Sequence, residues 1–358
     1  MDLPAQLDRA LRCCGFPPLQ SPSSYRQVGA GAWHDAYLVT LADGEQLVIR
    51  LRKQVIYGRQ EAFDAQALHE EYAPVGVYYA QAHRCRPGVC PAIYTYHIAP
   101  DLICTIESYA GASIDLSSLT TGAALAYGRR VGDFFRAMHA IDPALDGFGL
   151  LGWRDGRVAG QEQGDRAAIR QAEVLRIQEQ LERVLASDLH FDRARVRRAV
   201  EHALEWRGGF DEPIALVNRD ITPENLLIKA DGALGLVDPV PLLHRPTRYA
   251  SWFRFCYTFL LPALGDAPRY ARHEFKRHAA IMAAIAEGYT AGYTQGDPAL
   301  RHALDMEERL WLLGSTHDNY QLLNSAISEE QRLRTGGKAA ISTSLQLGLR
   351  KLEQARLD

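Results

Sequence analysis

The sequence has no uninterrupted apolar run approaching the roughly 18–20 residues that span a bilayer, so no membrane-spanning helix is expected. It has no surplus of positive charge. Its 40 Lys and Arg stand against 43 Asp and Glu, a net charge of -3, which withholds the basic footprint that nucleic-acid binding usually leaves. Cysteine is sparse: six thiols in 358 residues, two of them adjacent at Cys13 and Cys14, do not make a disulfide framework. His83, Cys85 and Cys90 fall close together, but structural zinc wants four N/S ligands in paired spacings and no second pair accompanies them. The first residues lack a basic stretch followed by an apolar one, so no secretory leader is expected and the cytoplasm is the default location. Internal repeats and low-complexity linkers are missing too.

What is present is the composition of an ordinary globular enzyme, 47% hydrophobic and 23% charged, in a chain long enough for two domains or lobes. The first third is rich in β-formers. Tyr25–Val28, Ala36–Val39, Gln46–Arg50, Ala92–His97 and Leu102–Glu107 read as strands, with Asp43-Gly44 turning the second into the third. A helical stretch over Glu61–Ala82 contains Pro74, which predicts a break or a fresh start. After Gly111 helical periodicity takes over, at Ala123–Ile141, Arg166–Ala186, Asp192–Arg207, His273–Tyr293 and Ala299–Ser325. The expected fold is α+β, with a small β-rich lobe over residues 1–110 and a larger, mostly helical lobe over 111–358.

The chemistry is concentrated in Asp220-Ile-Thr-Pro-Glu-Asn225, followed thirteen positions later by Asp238. Ile214–Val217 predicts a buried strand leading into it. Leu226–Ile228 and Leu234–Val237 predict a hairpin around Lys229-Ala-Asp231-Gly232-Ala, where Asp-Gly is a strong turn signal. Two short strands would then hold Asp220, Asn225 and Asp238 at one edge of a cleft. Phosphoryl transfer needs such a set because its demands are positioning and charge neutralisation. One carboxylate, Asp220, orients the acceptor hydroxyl and takes its proton. An amide and a second carboxylate, Asn225 and Asp238, hold Mg²⁺ against the nucleotide phosphates.

The surrounding segments resemble the aminoglycoside phosphotransferase/choline kinase family, which has a protein-kinase-like fold. Gly132-Asp-Phe-Phe-Arg-Ala-Met-His139-Ala-Ile-Asp142 is similar to the family's long helix, Gly147-Phe-Gly149 to a turn of many bacterial members, and Ile106-Glu107-Ser-Tyr109-Ala-Gly111 to its lobe-connecting hinge. The resemblance implies ATP, or GTP, as phosphoryl donor, with Mg²⁺. It makes Gln27-Val-Gly29-Ala-Gly31 the turn over the phosphates, where glycines let backbone N–H groups approach anionic oxygens. It makes Arg50 the strand cation for the α- and β-phosphates, with Arg52 and Lys53 as competitors. Glu71, or its neighbour Glu70, becomes the helix carboxylate that pairs with that cation. The Glu107 carbonyl and Tyr109 amide become the groups that meet the base. The chain departs from the family at Asn218, where His is usual, and at Asp238-Pro239, which replaces Asp-Phe-Gly or Asp-Trp forms.

The family builds its acceptor pocket from the C-terminal helices. Between residues 280 and 330 eight acids, Glu287, Asp297, Asp305, Glu307, Glu308, Asp318, Glu329 and Glu330, face two arginines. Such walls would favour a small cationic acceptor, an aminoglycoside or an amino alcohol. Asp318 and Asn319, in an apparent break at Gly314-Ser-Thr-His-Asp-Asn, are the acceptor-site candidates. The expected partners are thus a nucleoside triphosphate and a small molecule; the sequence fixes no oligomeric state. Two other readings stay open: a protein kinase, and a catalytically silent nucleotide-binding scaffold of the same fold.

Overall fold

A computed structural model describes residues 2–21, 24–56, 58–209, 212–229 and 231–356. Its contacts fall into two units, each assembled from three chain segments. The first takes the residues up to Ile114 together with Pro143–Gln161 and Asp220–Leu242; the second takes Asp115–Asp142, Glu162–Arg219 and the rest from Leu243. A contiguous division after residue 110 therefore leaves the segment Asp220–Leu242 with the helical part of the chain, whereas its contacts lie with the β-rich part.

The first unit opens with a helix, α1 (Leu3–Cys13), capped by the Asp2 carboxylate on the Ala5 amide. Strands β1 (Tyr25–Ala30), β2 (His34–Thr40), β3 (Gln46–Arg52), β6 (Tyr94–Ala99) and β7 (Leu102–Ser108) form an antiparallel sheet in the order β1-β2-β3-β7-β6. Between them lie the small β4–β5 hairpin (Val55–Ile56, Arg59–Gln60) and helix α2 (Ala65–Cys85). Strand alternation sorts β3 onto two faces. Leu47 and Ile49 join Leu7, Ala10 and Leu11 of α1 in a closed apolar core with Val39, Cys104 and Ile106. Val48 points the other way and packs with Ala36, Leu38 and Tyr109. Arg50 and Arg52 share that second face, toward α2. The sequence reading missed α1, although Leu3, Leu7, Ala10 and Leu11 have helical spacing.

Helix α2 runs unbroken through Pro74, contrary to the predicted break. Leu68, Tyr72, Val75, Tyr78, Tyr79 and Ala82 are buried along it. Large buried side chains contribute about 1.5–3 kcal/mol each, enough together to outweigh the roughly 3 kcal/mol an internal proline costs.

Strands β8 (Ala112–Ser113), β12 (Leu226–Ile228) and β13 (Leu234–Leu236) form a second antiparallel sheet in the first unit, and β9 (Phe148–Arg154) and β10 (Arg157–Glu162) lie side by side. Gly111 enters β8 with φ 123°, and a Cβ there would stand 3.0 Å from the Ile228 carbonyl oxygen, so this position needs glycine. The β12–β13 turn closes through the Lys229 and Gly232 amides; Ala230 lies outside the described residues.

In the second unit, helices α3 (Thr121–His139), α4 (Arg166–Leu185), α5 (Arg193–Gly209), α6 (Pro246–Phe255), α7 (Leu261–Leu264), α8 (Ala279–Thr294), α9 (Pro298–Leu323), α10 (Glu329–Thr335) and α11 (Lys338–Glu353) accompany strand β11 (Ala215–Asn218). Gly128 and Gly132 of α3 meet Gly288 and Gly292 of α8 so closely that a Cβ on Gly128 would lie 2.0 Å from the Ile285 carbonyl oxygen. Helix α9 continues through Gly314 without the predicted break. Helix α8 starts at Ala279, later than the predicted His273. No helix among the described residues is long and apolar enough to cross a membrane.

Candidate active site

Asp220 begins the loop into β12. Its carboxylate accepts the Thr222 amide at 3.4 Å, and the Asn225 amide donates to the Thr222 carbonyl at 3.0 Å, which folds the loop into a turn. Asn225 then reaches across the hairpin. Its carbonyl accepts the Val237 amide at 3.1 Å, and its side-chain amide lies 3.5 Å from the Asp238 carbonyl. The hairpin thereby gathers Asp220, Asn225 and Asp238 in one place. Asp238 is exposed and adopts a left-handed φ of 53°, which non-glycine residues rarely take, although Asp tolerates it better than most.

Burial pushes the Asp220 carboxyl up to about 6, and the negative charge of Asp238 adds to the rise; bonds from Thr222 and Asn225 oppose it. A carboxyl raised by burial and by the negative charge of a second carboxylate marks a place where a cation would be stabilised. The candidate ligands are oxygens: the Asp238 carboxylate, the Asn225 amide oxygen and the Asp220 carboxylate. That set suits a hard ion such as Mg²⁺.

The cations stand on β3 and beside it. Arg50 Nε and Nη2 donate to Glu107 Oε1 at 3.1 and 2.9 Å, and Glu107 is only 3% exposed. Arg52 Nη1 donates to both oxygens of Glu71 at 2.9 and 2.8 Å. This corrects the expected pairing: the helix carboxylate Glu71 binds Arg52, and Arg50 is held by a carboxylate of its own sheet. The register decides it, because Val48 stands opposite Glu107 and places the Glu107 side chain on the Arg50 face. Lys53, past the strand end, bonds the Gly31 carbonyl at 2.8 Å and pairs with Asp35 at 3.2 Å. His34 sits among these cations, its Nε2 2.9 Å from the Tyr72 hydroxyl. Burial holds its ring down at about 4; the neighbouring Arg50, Arg52 and Lys53 reinforce this, while Asp238 opposes it.

A family model described as the phosphotransferase enzyme family matches residues 24–242. The chain belongs to this family. By that membership it is a phosphotransferase. No curated relative matches the chain. Among solved structures, a ternary complex of a thermostable mutant of aminoglycoside phosphotransferase APH(4)-Ia with AMP-PNP and hygromycin B is similar at 16% identity and TM-score 0.54, over 93% of this chain and 94% of that one. A choline/ethanolamine kinase family protein from Mesorhizobium loti gives 14% and 0.51, over 98% of both chains. Macrolide 2'-phosphotransferase MphH from Brachybacterium faecium gives 15% and 0.50, over 99% of both. At these identities the likeness establishes the kinase-like fold.

The remaining sequence candidates of this phosphotransferase are placed less as expected. Gly29 lies inside β1 at a bulge, not in the turn, and the turn itself is closed by the Gly31 amide on the His34 carbonyl at 2.8 Å. Neither glycine has a positive φ. The Tyr109 amide donates to the Gln46 carbonyl at 2.9 Å and is engaged in the sheet, while Glu107 contributes its side chain to the Arg50 pair. Asn319 bonds Ser344 Oγ at 3.2 Å, and exposed Asp318 pairs with its neighbour His317. His83, raised as a metal candidate, places one ring nitrogen 2.8 Å from the Pro91 carbonyl and accepts the Gly88 amide on the other.

The acidic surplus of the C-terminal helices is absorbed locally. Glu287 pairs with Arg301, Asp305 and Glu308 with Arg254, Glu329 with Arg332 and Glu330 with Arg334. Asp297 caps α9. Glu307 is wholly buried against Arg245 at 2.7 Å and Arg248 at 3.1 Å; burial opposes its ionisation, yet the arginines hold it down at about 2. The arginines that neutralise these acids come mostly from segments outside the window counted in the sequence.

Sequence reasoning passed over Tyr79 and His34. Tyr79 follows Glu71 by two helical turns on the face turned to the sheet, a spacing that could have suggested it. Nothing local marks His34.

Proposed function

We propose that the protein transfers the γ-phosphoryl group of ATP, or GTP, to a hydroxyl of a small molecule in a Mg²⁺-dependent reaction. The observation that carries this reading is the convergence of Asp220, Asn225 and Asp238 on one hairpin, with Arg50 and Arg52 on the facing side of β3 in the same unit. Asp220 is the base: raised to about 6, it is ionised at neutral pH yet close enough to it to accept a proton readily. Asn225 and Asp238 would hold Mg²⁺, which neutralises phosphate charge when bound. Arg52 is taken as the cation for phosphate oxygens because its carboxylate partner, Glu71, is exposed and can release it, whereas Arg50 is committed to the buried Glu107. The solved neighbour with AMP-PNP and hygromycin B supports a nucleoside triphosphate and a small acceptor as ligands.

A cationic acceptor loses its main support, because six of the eight acids that suggested it are paired with arginines. A small hydroxyl compound of unspecified charge is the reading that remains. A protein kinase is disfavoured by the short path from Asp238 to α6 at Pro246, which leaves no room for a long regulated loop. The cytoplasm remains the proposed location.

The decisive experiment is a nucleotide-consumption screen over aminoglycosides, amino alcohols, sugars, nucleosides and a generic peptide, with Asp220→Ala as control. Turnover with one chemical class, lost in the control, supports the reading. Thermal stabilisation by Mg²⁺–ATP without turnover on any acceptor would favour the silent scaffold instead.

A further inference from the structure

Tyr79 and Glu107 are buried polar groups with no place in the reaction just described, and Tyr79 links Glu107 to Asp238. Glu107 divides its two oxygens: Oε1 takes both donors of Arg50, and Oε2 takes the Tyr79 hydroxyl at 3.1 Å. The Tyr79 oxygen in turn accepts the Asp238 amide at 3.1 Å. Tyr79 is 3% exposed, so no bulk water competes for its hydroxyl. A hydroxyl has one proton, and the carboxylate claims it. Toward Asp238 the oxygen can therefore only accept, and the relay has one direction.

Asp238 needs such a hold. Its left-handed backbone is supported on the carbonyl side by Asn225 and on the amide side by Tyr79. Released from either, the residue would relax toward the β region and swing its carboxylate away.

We propose that Tyr79 and Glu107 are positioning residues that fix the Asp238 backbone, so that Arg50, locked to Glu107, serves this relay rather than the usual pairing with the helix carboxylate. The proposal rests on the reading of Asp238 as a metal ligand. Partners one bond removed from a metal ligand typically change metal affinity by about 10- to 100-fold when removed, and the relay is expected to act through the metal and not through the nucleotide.

The test is thermal stabilisation of the full-length protein by ATP, titrated with Mg²⁺, alongside ATP alone in EDTA. Tyr79→Phe keeps the ring and removes the hydroxyl. The Mg²⁺ concentration for half-maximal stabilisation should rise about tenfold or more, with the metal-free ATP response unchanged. Glu107→Gln should act the same way, because its amide can donate to Tyr79 and turn the phenol proton toward the Asp238 amide; it carries the test if Tyr79→Phe does not fold. An unchanged Mg²⁺ requirement in a folded variant overturns the relay alone. A wild-type protein with no Mg²⁺-dependent response overturns the proposed function and the relay with it.

Discussion

Arg52 and Glu71 join strand β3 to helix α2, Nη1 to Oε2 at 2.8 Å, while two residues earlier Arg50 is bound to Glu107 at 2.9 Å. The two pairs differ in exposure. The Glu71 side chain is 41% exposed and the Glu107 side chain 3%. Two arginines of one strand face are therefore held by carboxylates in different surroundings.

Arg50→Ala should damage the fold and Arg52→Ala the nucleotide site. Removing Arg50 leaves the Glu107 carboxylate buried without its partner, a situation that typically costs about 3–5 kcal/mol. Glu71→Gln should cost about 1 kcal/mol or less, as for exposed pairs. Urea denaturation checks both. Arg52→Ala should weaken ATP binding in calorimetry with little loss of stability, and equal ATP affinity for wild type and Arg52→Ala would return the phosphate role to another cation.

Asp220→Ala should lower turnover by at least about a hundredfold, the lower end of what a positioned base contributes. Nucleotide binding should be largely spared. Asp238→Ala should also remove the Mg²⁺-dependent part of binding. Steady-state rates with an accepted substrate and parallel binding titrations separate the two variants, and full activity in Asp220→Ala would contradict its role as base.

Gly128→Ala or Gly132→Ala should destabilise the helical unit by about 1–3 kcal/mol or more, the range for overpacking. The added methyl would meet backbone, not a flexible side chain: on Gly132 it would lie 2.1 Å from the Tyr289 carbonyl oxygen. Backbone can yield only by separating α3 from α8. Gly122→Ala, with nothing within 4 Å, is the control and should melt like wild type.

Acid should destabilise the protein before most of its carboxylates are protonated. His139 is buried with Nδ1 3.0 Å from the Tyr293 hydroxyl, and burial holds it at about 3, with Arg136 adding to the depression. The unfolded chain binds that proton near pH 6.5. Its contribution is thus complete above about pH 6.5 and is lost as pH falls toward 3, at up to about 1.4 kcal/mol per pH unit. His139→Gln should flatten the decline between pH 6.5 and 5 in urea titrations, and an unchanged slope would show that His139 does not set it.

The sequence by itself determined the elements that short-range patterns encode. Alternation and the Asp-Gly turn marked the strands and the hairpin behind Asp220, helical periodicity marked most of the helices, and the spacing of Asp220, Asn225 and Asp238 pointed to the proposed reaction, because one hairpin brings these groups together. Pro74 and Gly314 misled it, since local propensity yields to the packing of a buried face. Only the tertiary structure decided which carboxylate each arginine meets. Arg50 and Glu107 are 57 residues apart, and the β3–β7 register sets them on one face; Tyr79 and Asp238 are 159 apart. Charges such as Glu307 look free in a list of residues and are neutralised by arginines distant in the chain. Ion pairing acts over a few ångströms of space, and sequence spacing reports that distance only within a single element.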